Sequence, residues 1–96
     1  MIRFTVVWEW ELQADFIRTW IDADSRLRAA LTQASNWIDR NLCTDPERLG
    51  RPSAVDPTCR AIHVPDAGDF SIVALYRVRH EDRQVDIVAF RHGLKK

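Results

Sequence analysis

Cysteine is scarce in this chain: the 96 residues hold two, Cys43 and Cys59. They form no Cys-x-x-Cys pair and have no second ligand cluster beside them, so the spacing gives no zinc site and reads as two reduced, buried thiols. Glycine, with three residues, and proline, with four, are too few for a fibrous or low-complexity chain. No apolar run approaches the roughly 20 residues that a membrane span requires. The opening stretch from Ile2 to Trp8 is also too short for the apolar core of a signal peptide. The expectation is a cytoplasmic protein that does not engage a membrane. An excess of one charge is missing as well, with 14 basic against 14 acidic residues. A dedicated nucleic-acid binder is usually more basic than this.

The chain itself has the size of one domain, residues 1–96, and the composition of an ordinary globular protein, 46% hydrophobic and 29% charged. A domain this short buries only about 60–65% of its unfolded surface, so a partner would add to its stability. Charge is uneven along it: residues 1–45 carry 5 basic and 7 acidic groups, and residues 46–96 carry 9 and 7. Twelve of the basic residues are arginine, whose planar fork suits carboxylate and phosphate.

Periodicity divides the chain. Ile2–Trp8 alternates as a strand, with Ile2, Phe4, Val6 and Trp8 on one face. Leu12, Phe16 and Trp20 then fall four apart, predicting an amphipathic helix from about Glu11 to Asp22. Asp24 or Ser25 can cap a second helix. Leu27, Ala30, Leu31, Ala34, Trp37 or Ile38, and Leu42 give that helix its apolar stripe, and the short connection makes an antiparallel pair. Thr44–Thr58, with three prolines and a glycine, reads as a long loop. Cys59–Pro65 is a short strand with Arg60, Ile62 and Val64 on one face, followed by the turn Pro65–Asp69. Ser71–Val78 and Gln84–His92 are dense in β-branched and aromatic residues and form an antiparallel hairpin. The predicted order is β-α-α-β-β-β, an α+β fold with a helical hairpin on one face of a mostly antiparallel twisted sheet. Neither face of the hairpin is cleanly polar, so both are covered or used.

Asp45-Pro46-Glu47-Arg48-Leu49-Gly50-Arg51-Pro52, Arg60-Ala61-Ile62, Leu75-Tyr76-Arg77-Val78 and Val85-Asp86-Ile87-Val88 follow the helical hairpin in that order. With the ending His92-Gly93-Leu94-Lys95-Lys96, they make a chain that resembles the RelE/ParE superfamily of bacterial toxins over nearly its whole length. The resemblance implies a growth-arresting toxin, of the plasmid-stabilisation kind, neutralised by a cognate antitoxin in a hetero-oligomer, with no cofactor or metal. It leaves the target open between DNA gyrase, for ParE-like members, and the ribosome and its message, for RelE-like members. Whether the chain is an enzyme stays open with it.

The ribonuclease alternative needs a base, an acid and cations around the scissile phosphate. The resemblance to YoeB-type loops offers Glu47 as base, Arg60 as the strand-opening arginine and His92 as acid. Arg77 and Arg91 are further candidates to clamp the phosphate. The lysine-rich loop of RelE-type enzymes is absent, no tyrosine lies near the C-terminus, and His92 stands one position from the YoeB-like histidine. A ParE-like module needs only a binding surface. With Ile72, Ala74, Tyr76, Val78, Val88 and Phe90 packed on the helices, Val73, Leu75, Ile87 and Ala89 are expected to line an exposed antitoxin-binding face. Arg77, Arg79, Arg91, Lys95 and Lys96 would edge it for phosphate or a target. A solitary family member that only binds a protein partner is the third reading.

Overall fold

A computed structural model describes residues 3–95; Ile2 and Lys96, named above, lie outside the described residues. Its elements are β1 (Thr5–Trp8), α1 (Trp10–Asp22), α2 (Ser25–Leu42), β2 (Arg51–Pro52), β3 (Arg60–His63), β4 (Phe70–Arg79) and β5 (Gln84–Leu94). The five strands form one sheet in the order β1-β5-β4-β3-β2. β1 runs parallel to β5, and every other pairing is antiparallel. The expected β-α-α-β-β-β architecture holds, with one addition inside the segment expected to be loop throughout. There Arg51 and Pro52 pair with Ala61 and Arg60 as a two-residue edge strand. Proline has no N–H for a further ladder bond, which keeps such a strand at the edge.

The helical hairpin is built by local chemistry. The Asp24 carboxylate accepts the Leu27 N–H at 2.9 Å and caps α2. Ala30, Leu31, Ala34, Ile38 and Leu42 then point inward at helical spacing. α1 buries no residue completely, and its end is tied to α2 by Arg28. The Nε and Nη2 of Arg28 donate to the Trp20 and Ile21 carbonyls, and its guanidinium lies 4.8 Å from the Trp20 ring centroid. A cation at the C-terminal carbonyls of a helix is favoured by the helix dipole, and here it adds to the Ala23 N–H that already caps the Trp20 carbonyl. Across the sheet, Trp8 donates its indole N–H to Asp39 on α2 and packs against Phe16 and Phe90.

The helices cover one side of the sheet, and the core lies between them and the inward rows of β3, β4 and β5: Ile62, Ile72, Ala74, Tyr76, Val85 and Ile87. The register explains a departure from simple alternation. Leu75 pairs with Ala89, but Tyr76 pairs with Ile87, so Val88 is an extra residue in β5. A bulge of this kind shifts the parity of a strand by one. Before it, Val85 and Ile87 face the helices beside Val78 and Tyr76. After it, Phe90 faces them beside Ala74, while Ala89 and Arg91 join Leu75 and Val73 on the other side. The expectation that Ile87 lines the exposed face is therefore corrected: Ile87 is 0% exposed, in the centre of the core. Val88, expected among the residues packed on the helices, is the bulge residue.

Candidate functional site

The uncovered side of the sheet can be read row by row from the register. Val7, Asp86 and Arg77 form one row, Ala61, Leu75 and Ala89 the next, and His63, Val73 and Arg91 a third. Its middle is a strip of small and branched apolar side chains, half-buried at Ala61, Val73, Leu75 and Ala89. Charge gathers at its ends. Arg79 reaches Asp82 at 2.9 Å and Asp86 at 3.6 Å, and Arg77 reaches Asp56 at 3.7 Å. Gln84 donates to Asp86 at 2.6 Å. Among the described residues, Arg91 and Lys95 have no carboxylate within ion-pairing distance. Of the five expected cations, Arg77 and Arg79 are held by acids, Arg91 and Lys95 are available to another molecule, and Lys96 lies outside the described residues.

At the β3 end, residues 53–58 fold back over Cys59. The Ser53 amide donates to the Cys59 carbonyl and the Cys59 amide to the Asp56 carbonyl. The hydroxyl and amide of Thr58 both donate to the Asp56 carboxylate, at 2.6 and 3.0 Å. These two bonds hold the Asp56 pKa below its ordinary value, with smaller help from the Cys59 thiol and Arg77. Cys59 is buried, as expected for both thiols, whereas Cys43 is only half-buried.

The three residues considered for ribonuclease chemistry do not meet. Arg60 is turned to the loop after α2, donating from Nε to the Leu49 carbonyl at 3.1 Å and from Nη2 to the Gly50 carbonyl at 3.0 Å. Glu47 pairs with His80 at 3.3 Å, at the tip of the β4–β5 hairpin. His92 lies opposite Ile72, toward the far end of β5, beside Leu12, Asp15, Phe16 and Thr19 of α1. Eight residues of extended strand separate the level of Ile72 from His80, about 26 Å. Among the described residues no three His, Cys, Asp or Glu side chains gather to hold a metal ion.

Tyr76 has a role that its place in an apolar strand did not announce. Fully buried, its hydroxyl lies 2.6 Å from the Pro46 carbonyl and 2.5 Å from the Leu49 carbonyl, its single proton serving both. Burial pushes its pKa above the ordinary value, against a smaller opposing pull from Arg60. Gly50 sits beside it at φ +70°, where a Cβ would come within 2.5 Å of the Ala61 carbonyl oxygen and 3.0 Å of the Tyr76 hydroxyl. Only glycine takes that backbone angle without strain and leaves that space. Tyr76, Arg60 and Gly50 therefore lock residues 46–50 onto the sheet. The available signal was a single tyrosine, a residue whose hydroxyl needs a partner when buried, in an otherwise apolar strand.

No protein-family model and no curated protein sequence matches the chain. Among solved structures, it is similar to the E. coli toxin RelE, in a double arginine-to-alanine variant in the free state. The identity is 16% and the TM-score 0.50, over 94% of this chain and 82% of that one. The likeness shows that the chain has the fold of RelE.

Proposed function

We propose that this protein is the toxin of a toxin–antitoxin pair and that it acts by binding, in the ParE-like manner, rather than by cutting RNA. The observation that carries this reading is the sheet with helices on one side and an apolar strip, edged by arginine, on the other. An exposed apolar surface with a charged rim is the usual mark of a protein-binding face. An antitoxin segment with apolar side chains for Val73, Leu75 and Ala89 and carboxylates for Arg91 and Lys95 fits it in both shape and charge. The same segment would hide the cations that a target must reach, so neutralisation follows from occupancy. DNA gyrase in the cytoplasm is the target that the ParE-like reading names. The separation of Glu47, Arg60 and His92, with Arg60 committed to loop carbonyls, favours binding over ribosome-dependent cleavage.

The test is co-expression with the protein encoded beside this gene, followed by purification through a tag on that neighbour. Wild type should co-purify and Leu75→Asp should not, while both give the same circular dichroism. Co-purification of Leu75→Asp at the wild-type level would refute the assignment of this face. Supercoiling assays with purified gyrase, against message cleavage on ribosomes, separate the two modes of action.

A further inference from the structure

The outer surface of α1 carries a second apolar feature that the open sheet face does not use. Leu12 and Phe16 face the core side of this helix. Trp10, Ile17 and Ile21 point away from the protein and are 75%, 51% and 57% exposed. With Ala14 between them they follow a 4-3-4 spacing, which places all four on one line along the helix, as in the seam of a coiled coil.

We propose that this line is the interface of a symmetric, antiparallel dimer formed by two copies of the chain through α1. Charge selects the occupant. Placing two α1 helices antiparallel about a two-fold axis between residues 15 and 16 sets Trp10 against Ile21 of the second copy, and Ala14 against its Ile17. The flanking residues then bring Glu11 beside Arg18 of the second copy, and the symmetry makes that ion pair twice. Among the described residues, Glu11 has no ion pair. Arg18 has one exposed pair, with Asp15 at 3.6 Å, which costs little to exchange. A parallel arrangement would set Gln13 beside Arg18 and leave Glu11 unmatched. The seam is thus complementary to itself in one orientation.

Side chains of these sizes and exposures offer roughly 350 Å² of apolar surface per copy. A standard stable interface takes about 800 Å² from each partner. The dimer is therefore a weak one, with a dissociation constant in the micromolar range or above, and it forms on a surface distinct from the open sheet face. Dimerisation and antitoxin binding are then independent, and one can fail while the other stands.

Sedimentation velocity on the full chain, from about 1 µM to about 1 mM, tests this. The wild-type weight-average mass should climb from the 11.2 kDa of one chain toward twice that value. Ile17→Asp, at an exposed position, should keep the fold and raise the dissociation constant at least about tenfold. Glu11→Arg and Arg18→Glu should each raise it about threefold, and the double exchange should return it to within about twofold of wild type. Recovery in the double variant cannot come from a general loss of helix. A wild type that stays monomeric throughout, as it would if the line served a foreign helix, overturns the proposal. So does a double exchange no better than the single variants.

Discussion

The two faces of this sheet are made from the same strands, yet they have opposite construction. On the covered face, Ile72, Ala74, Tyr76, Val85 and Ile87 are sealed against the helices. The one polar atom of that row, the Tyr76 hydroxyl, is given carbonyl partners. On the open face the corresponding side chains are smaller, half-exposed and bordered by ion pairs. A single extra residue, Val88, decides which side of β5 belongs to which face. The covered face carries the stability of the domain, and the open face is free to carry binding. Charge introduced on one side should therefore cost folding, and on the other it should cost association.

The sharpest break in that contrast is Ile87→Asp against Leu75→Asp. A carboxylate at the fully buried Ile87 has no partner, and its cost of about 4 kcal/mol or more is comparable with the whole stability of a domain this size, about 5–14 kcal/mol. Chemical denaturation should find it unfolded or nearly so. Leu75→Asp should change stability by no more than about 1 kcal/mol. Equal losses in the two variants would contradict the bulge register. Gly50→Ala comes next, at about 2 kcal/mol or more, because it combines strain at positive φ with a clash against the Ala61 carbonyl.

Tyr76→Phe should cost about 1–3 kcal/mol by leaving the buried Pro46 carbonyl without its donor and the Leu49 carbonyl with Arg60 alone. The same group gives a pH signature. The folded protein keeps the phenol proton at pH values where the unfolded chain has lost it. Its contribution is therefore intact below the ordinary tyrosine value of about 10 and falls as pH rises from there through the folded value. Urea midpoints should drop across that alkaline range in wild type. In Tyr76→Phe this part of the slope should vanish. As the chain has one tyrosine, ultraviolet titration reads the shift without interference from other phenols. The smallest effect is expected from His80→Ala, which removes a contact with Glu47 that is exposed on both sides and should change stability by about 0–1 kcal/mol.

Much of this architecture was legible in the sequence because helical and strand periods were each clean. Leu27 to Leu42 gave the buried stripe of α2, and Asp24 gave its cap. Ser71–Val78 and Gln84–His92 gave the hairpin, which extends one or two residues further at each outer end. Ile87 was misplaced because alternation has period two and a bulge leaves no mark in the residue types: Val88 is as good a strand residue as its neighbours. β2 was invisible because two residues have no period. The candidate site was less legible than the fold. Arg77 and Arg79 were found on the open face, but their carboxylate partners were not foreseen. Arg60 was read as a phosphate contact, whereas its bonds run to Leu49 and Gly50, whose proximity depends on how the loop returns to the sheet.

Growth of cells induced to make this protein alone tests the proposed binding account most directly. Wild type, the double variant Glu47→Ala/His92→Ala and the double variant Leu75→Asp/Arg91→Glu should be compared at equal protein levels. The account predicts arrest by the first two and normal growth with the third. Normal growth with Glu47→Ala/His92→Ala, together with arrest by Leu75→Asp/Arg91→Glu, would contradict it.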